Sequence, residues 1–156
     1  LEYGAQPLRK ETFTAGPLFR ELVAQFYDSP LAENCEITLN QTNAAEHAQI
    51  SVDRALLARL LENLLSNSVR HNSESVKICI ETEIRENFLY LTVIDNGKGY
   101  PPEILAALNL QETTENTPHI LGLHVVEQIA AAHGGKSIFE SNYPSGARTC
   151  VWLPLG

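Results

Sequence analysis

The sequence has no methionine, only three cysteines and no long apolar run, and each shortage argues against a class of protein or of site. Because a complete translation product begins with methionine, we expect these 156 residues to be a piece of a longer protein. Cys35, Cys79 and Cys150 are odd in number and form no Cys-x-x-Cys pair, which argues against a disulfide framework and a zinc site. A processed secreted protein would also lack methionine, but unpaired cysteines favour a reducing, cytoplasmic setting.

Basic residues are also scarce, with 11 lysines and arginines against 19 acidic residues and a formal net charge of −8. This charge argues against a broad nucleic-acid or membrane surface, although it leaves room for a local phosphate site. No apolar run reaches the length of a membrane span, and no stretch of these residues resembles a signal peptide. A hydrophobic share of 44% predicts one globular domain with a core of its own.

The spacing of apolar residues predicts both helices and strands. Helical spacing covers residues 16–27, 53–72, 103–108 and 121–132, and alternation covers 35–39, 49–52, 76–84, 88–94, 137–141 and 148–153. Asp53 is the expected N-cap of the second helix. The simplest arrangement is an α/β (α+β) two-layer sandwich, in which three main helices cover one face of a mixed, mostly antiparallel sheet of about five strands.

The helix after Asp53 carries a polar stripe beside its leucine-rich face. Asn63, Asn67, Arg70 and His71 fall within an arc of roughly 100°. Asparagine is a poor helix former, so two of them inside a helix suggest a function. An amide oxygen suits Mg²⁺, and an arginine suits phosphate. By itself, however, the stripe is better explained as the solvated surface of a core helix.

Two glycine motifs follow. Asp95-Asn-Gly97-Lys-Gly99 comes directly after a strand, where its glycines allow a sharp turn and its aspartate can accept a hydrogen bond from an amine. Leu121-Gly122-Leu123 is predicted to open a helix whose free N–H groups could face phosphate. Each motif alone is weak, since both also occur in ordinary turns and helix starts.

The order of these motifs is more specific. An Asn-Leu-Leu-x-Asn helix, a strand ending in Asp-x-Gly-x-Gly, and a Leu-Gly-Leu helix closing on His-Gly-Gly together resemble the ATP-binding catalytic domain of bacterial two-component sensor histidine kinases. The wider group includes DNA gyrase, Hsp90 and MutL, and its members share the Bergerat-type ATP-binding fold. By this resemblance, residues 1–10 are the tail of an upstream dimerisation helix with its linker, and residues 11–156 are the catalytic domain.

The resemblance implies a role for each motif residue. Asn67 would hold Mg²⁺ with Asn63 beside it, Arg70 would face phosphate, and Gly122-Leu123 would lie under the phosphates. His71, also assigned to the nucleotide site, stands where the family has tyrosine or histidine. Arg70 and His71 are also compatible with simple charges at a helix C-terminus.

At the other end of the implied site, Asp95 would accept the adenine amino group, while Gly97 and Gly99 would make room for the base. Ala147 stands where many relatives have a threonine that helps bind adenine.

The resemblance also bears on the type of reaction. Hydrolytic relatives have a water-activating glutamate where this chain has Asn63, and an amide cannot act as a base. Glu62 points about 100° away around the helix. We therefore expect transfer of the γ-phosphoryl group to a histidine imidazole, which is already nucleophilic when neutral.

The sequence departs from the family pattern in two further places. None of the five histidines (His47, His71, His119, His124 and His133) has the His-Glu or His-Asp setting of the phosphoacceptor, so this piece should bind ATP without phosphorylating itself. The lid stretch, residues 100–120, contains no phenylalanine, lysine or arginine, and Pro118 and Ile120 replace a usual Gly-x-Gly.

The resulting expectation is a cytoplasmic kinase domain in a membrane-anchored sensor, using ATP and Mg²⁺ and signalling to a response regulator. The piece would be monomeric and its parent homodimeric, with no nucleic-acid or direct membrane contact. The alternatives are a weak or inactive nucleotide-binding and docking module, as the lid suggests, and an anti-sigma-factor-type serine kinase.

Overall fold

A computed structural model describes residues 7–70, 72, 75–109, 118–142 and 144–156, with only the backbone at 109 and 118–121. The strands are β1 (Glu11–Thr14), β2 (Cys35–Gln41), β3 (Gln49–Val52), β4 (Val76–Arg85), β5 (Phe88–Asp95), β6 (Lys136–Ser141) and β7 (Ala147–Pro154). The helices are α1 (Ala15–Phe26), α2 (Asn43–His47), α3 (Arg54–Arg70), α4 (Pro102–Asn109) and α5 (Pro118–Ala132), with a 3₁₀ turn at Pro30–Asn34.

Five strands form the main sheet in the order β2-β4-β5-β7-β6. Only the β2–β4 pair is parallel, and the other three pairs are antiparallel. In β4, β5 and β7, alternate residues are buried, which places one apolar face against the helices. The predicted mixed, mostly antiparallel sheet in a two-layer sandwich is therefore confirmed.

Residues 49–52 form the predicted strand, but the sequence did not indicate which sheet this strand joins. β3 lies outside the main sheet and pairs with β1 in a separate two-stranded antiparallel sheet. β1 was not predicted, because its four residues, half of them exposed, show no clear alternation. Residues 1–6 lie outside the described part of the chain, so the interpretation of residues 1–10 as a helix tail and linker stays a prediction.

Helix α3 has the predicted start. Its first turn is capped by Asp53, whose Oδ1 accepts a hydrogen bond from the Leu56 N–H at 3.2 Å. The helix buries one face in the core: Leu57, Leu60, Leu61, Leu64, Leu65 and Val69 are each at most 4% exposed. Since this face is fully committed to packing, the polar stripe must lie on another side of the helix.

Helix α5 begins three residues earlier than the sequence predicts. Its first residue is Pro118, a favoured residue at the first helical position because it needs no amide hydrogen. Gly122 therefore lies in the second turn, where intrahelical acceptors are available, and it does not open the helix. The prediction that residues 121–123 open this helix is therefore wrong. Within the described residues, no helix is long and apolar enough to cross a membrane.

Candidate functional site

An open cavity lies where the C-terminal end of α3 meets the end of β5. The cavity is lined by Asn67, Ser68, Asn72, Asp95, Lys98, Gly99, Tyr100, Pro101 and Ala147.

Asp95 is the last residue of β5 and is only 4% exposed. Its Oδ2 accepts a hydrogen bond from the Ser68 hydroxyl at 2.7 Å, and its Oδ1 accepts from the N–H groups of Gly97 at 2.9 Å and Ala147 at 3.1 Å. Hydrogen bonds to a buried carboxylate offset the cost of taking its charge out of water. A carboxylate offers about four lone-pair directions. With three in use, roughly one remains for a donor on a ligand.

The turn between β6 and β7 fixes this carboxylate through glycine backbone. Gly146 has φ 109°, and a Cβ there would overlap the main-chain carbonyl of Asp95. Gly99 has φ 81°, and a Cβ on it would lie 2.6 Å from the Gly146 oxygen. Asn142 donates its N–H to that same oxygen at 2.8 Å. The glycines thus let three backbone segments stack closely around Asp95, and Gly99 also lines the cavity.

Tyr100 forms the wall of the cavity beyond the glycine loop, which we define as residues 95–99. Its hydroxyl and the Thr149 hydroxyl are 2.6 Å apart, and its ring packs edge-on against Phe139 with centroids 6.0 Å apart. Burial raises the pKa of the Tyr100 phenol, the hydrogen bond with Thr149 lowers it in part, and the Asp95 charge raises it further. Tyr100 is therefore a neutral, rigid wall at physiological pH.

The polar stripe on α3 is less tightly held. Asn67 lines the cavity, and its side-chain amide makes no hydrogen bond within the described part of the chain. Asn63 donates its Nδ2–H to the Gly122 carbonyl at 3.2 Å, which ties α3 to α5 and leaves its amide oxygen available as a ligand atom. Arg70 is exposed at the last residue of α3.

The structure thus brings Asn67, Asp95 and Gly99 of the predicted set into one cavity. The Leu123 side chain is fully buried in the core, so only its backbone could contact a ligand. His71 lies outside the described residues. The roles of all these residues toward a ligand stay predictions.

Several cavity residues were missed by the sequence analysis. These are Ser68, Asn72, Lys98, Tyr100 and Pro101. For Ser68 a signal existed, because it falls on the apolar arc of α3, where a hydroxyl needs a buried partner. For the other four residues, the only signal in the sequence was that they lie in or next to a motif.

The described residues contain no group of three or more His, Cys, Asp or Glu side chains that could hold a metal ion. A cation bound here would draw on the amide oxygen of Asn67 in the cavity lining, on that of Asn63 one turn earlier on α3, which lies outside the lining, and on oxygens of the ligand. Such a donor set suits Mg²⁺, a hard cation that often completes its coordination with phosphates.

The comparisons with known proteins agree with this geometry. The family described as "Histidine kinase-, DNA gyrase B-, and HSP90-like ATPase" matches residues 52–156. Sensor histidine kinase YvrG of Bacillus subtilis is 30% identical over 143 residues, which cover 86% of this chain and 24% of YvrG. The chain spans about a quarter of the length of the curated relatives it matches.

Solved structures share the fold. The nucleotide-free catalytic domain of histidine kinase ThkA superposes with a TM-score of 0.78 at 23% identity, covering 95% of this chain and 97% of that domain. ThkA in complex with the response regulator protein TrrA gives a TM-score of 0.75 at 24% identity, covering 94% of this chain and 42% of that one.

Proposed function

The chain belongs to the histidine kinase-, DNA gyrase B- and HSP90-like ATPase family, and on that premise we propose that it is the ATP-binding catalytic domain of a sensor histidine kinase. In this role it binds ATP in the cavity beside Asp95 and transfers the γ-phosphoryl group to a histidine on the dimerisation domain of the same kinase. The curated relatives that support this reading are named as sensor proteins and sensor histidine kinases.

The buried Asp95 carboxylate is the observation that carries the proposal. Its three donors fix both oxygens, and its remaining lone pair can accept the amino group of adenine. Guanine carries a carbonyl oxygen at the corresponding position, which would face the carboxylate without a hydrogen to donate. The site would therefore select adenine over guanine, because an unpaired buried acceptor costs binding free energy.

The polar stripe on α3 would face the phosphates. Asn67, with Asn63 one turn earlier, would hold Mg²⁺ through amide oxygens, and Arg70 would add a positive charge nearby. Bound Mg²⁺ supplies neutralisation of the charge on the phosphate oxygens. The Gly122 carbonyl keeps Asn63 oriented through its hydrogen bond, so that the amide oxygen rather than the nitrogen is free.

Phosphoryl transfer rather than hydrolysis follows from the chemistry of residue 63. An amide cannot remove a proton from water, so Asn63 cannot serve as the general base of an ATPase. A neutral imidazole needs no such base, and positioning with charge neutralisation carries most of the catalysis in phosphoryl transfer.

The partners of this activity would be the dimerisation domain and a response regulator. The fold likeness to ThkA, solved in complex with the response regulator protein TrrA, supports the second of these. We place the domain in the cytoplasmic part of a membrane-anchored, homodimeric parent, where ATP is available.

A second candidate function is a nucleotide-binding module without transfer activity. The stretch from 100 to 120 has no lysine or arginine to meet the γ-phosphate, and it carries three glutamates, Glu103, Glu112 and Glu115. In the cavity lining, Lys98 is the one cationic side chain among the described residues.

Calorimetric titration with a non-hydrolysable ATP analogue tests the binding site. We expect saturable binding that weakens when Mg²⁺ is removed, is not matched by a GTP analogue, and falls about 100-fold in Asp95→Asn, which loses a charged hydrogen-bond acceptor. No binding at millimolar analogue would refute the proposal. If the analogue binds, incubation of the chain with ATP and the dimerisation domain of the same kinase separates the two functions. A phosphorylated histidine on that domain supports the kinase, and its absence supports the binding module.

A further inference from the structure

Asn72 joins the end of α3 to the glycine loop through one side chain. Its Nδ2–H donates to the Ser68 carbonyl at 2.6 Å, and its Oδ1 accepts the Lys98 N–H at 3.0 Å. Its backbone N–H also bonds to the Val69 carbonyl at 3.3 Å. The amide thus satisfies one of the free carbonyls at the helix C-terminus and one free N–H in the loop. Both ends of the side chain are held, so it has a single orientation.

Gly97 lies directly against this amide. A Cβ built on Gly97 would overlap the side-chain nitrogen and oxygen of Asn72 and come within 2.6 Å of its Cγ. The φ of Gly97 is not in the left-handed region, unlike that of Gly99 or Gly146, so its backbone alone would accept another residue. The space next to Gly97 is therefore filled by Asn72, and a Cβ there would displace the Asn72 amide from its position.

We propose that Asn72 is a positioning residue that sets the distance between the two ends of the nucleotide site, and that Gly97 is glycine to admit its amide. This inference rests on the proposed function. One end of the site, Asn63 and Asn67, is carried by α3, and the other, Asp95, belongs to the glycine loop. Asn72 is hydrogen-bonded to both elements, to the Ser68 carbonyl on α3 and to the Lys98 N–H in the glycine loop. All three residues line the same cavity.

Two features make this more than a helix cap. Ser68 accepts the Asn72 hydrogen bond with its backbone carbonyl and donates its hydroxyl to Asp95. The same residue therefore contacts both the Asn72 amide and the Asp95 carboxylate. In addition, Lys98 is followed by Gly99, which packs on the Gly146 carbonyl. A shift of the Lys98 amide would move the loop relative to both neighbours. Small misplacements of this kind reduce binding without unfolding the protein.

A double-mutant cycle on the 156-residue chain tests the inference. The four proteins are the wild type, Asn72→Ala, Gly97→Ala and the double variant, with Asn87→Ala in the exposed β4–β5 hairpin as the control. Affinity for an ATP analogue with Mg²⁺ is measured by calorimetry at a temperature where circular dichroism shows each variant folded. The free energy of unfolding without nucleotide is measured in parallel by urea titration.

We expect Asn72→Ala and Gly97→Ala each to weaken binding about tenfold, through lost hydrogen bonds and overlap respectively. The double variant should bind no more weakly than Asn72→Ala alone, because the overlap disappears with the amide, and Asn87→Ala should bind like the wild type. Losses that multiply in the double variant, or affinities that stay unchanged while stability falls, would overturn the positioning role. A wild type that binds no nucleotide overturns the proposed function, and a wild type that binds with additive losses overturns only the role of Asn72.

Discussion

The two ends of the proposed nucleotide site are built in different ways. At the carboxylate end, which comprises Ser68, Asp95, Gly146 and Ala147, a buried group is held by three hydrogen bonds and by close backbone stacking. At the polar-stripe end, which comprises Asn63, Asn67 and Arg70, the side chains are partly or fully exposed, and one hydrogen bond to Gly122 is the main restraint among the described residues.

This difference reflects what each end has to recognise. A flat base with few polar atoms is selected by acceptors and donors at fixed positions, and fixed positions require packing. Phosphates and Mg²⁺ bring strong charges and their own coordination preferences, so flexible side chains can adjust to them. The carboxylate end should therefore couple binding to folding stability, whereas the polar-stripe end should affect binding alone.

The largest expected difference is between Gly146 of the carboxylate end and Gly122, whose carbonyl holds Asn63 of the polar-stripe end. Gly146→Ala places a Cβ against the Asp95 carbonyl at a φ of 109°, so we expect a loss of about 3 kcal/mol in the free energy of unfolding together with loss of nucleotide binding. Gly122→Ala has no atom within 4 Å of the new Cβ and should stabilise α5 by about 1 kcal/mol. Urea titration measures both, and equal effects at the two glycines would contradict the comparison.

Ser68→Ala should lower stability and affinity together. It removes the hydroxyl that donates to Asp95 Oδ2 and leaves a buried charge with one fewer partner, at a cost of about 2 kcal/mol of unfolding free energy. We also expect weaker binding of an ATP analogue, because the carboxylate loses orientation. Unfolding and calorimetric titrations of the same protein test this link. A variant that is destabilised yet binds with unchanged affinity would show that Ser68 does not orient Asp95 for the ligand.

Asn67→Ala should change nucleotide affinity without lowering folding stability. Its side chain has no hydrogen-bond partner within the described residues, and alanine favours a helix, so stability should stay the same or rise slightly. Binding of the analogue with Mg²⁺ should weaken about tenfold, since a hydrogen bond or metal ligand to a charged group is lost. The matched experiment without Mg²⁺ should show a smaller difference. An equal loss with and without Mg²⁺ would argue against a metal role for Asn67.

The smallest effect concerns Tyr100 and appears only at high pH. Burial raises the pKa of its phenol in the folded state, so its contribution to stability is complete below the usual tyrosine pKa of about 10 and decreases as the pH rises above it. Tyr100→Phe loses the hydrogen bond with Thr149, which costs about 1 kcal/mol at neutral pH. The stability gap between the two proteins should narrow above pH 10. A constant gap up to pH 11 would mean that Tyr100 titrates alike in both states.

The sequence predicted the parts of the site that have a local signature. The period of its apolar residues indicated α3 and its polar stripe, and the strand ending at Asp95 followed from alternation. The placement of Asn67, Asp95 and Gly99 in one cavity agrees with the order of the motifs. The sequence-based start of α5 was wrong because a proline, usually a sign of a boundary, here begins the helix.

Only the tertiary structure decided which groups meet. Ser68 and Ala147 reach Asp95 from 27 and 52 residues away, and Asn72 reaches the glycine loop from the other end of the intervening β4–β5 hairpin. The tertiary structure also decided that β3 pairs with β1 in a separate sheet and not with the strands of the main sheet. Periodicity reports the face that a segment buries, because that property depends on neighbours three or four residues away. It does not report which distant backbone lies on that face, since this depends on how the whole chain closes.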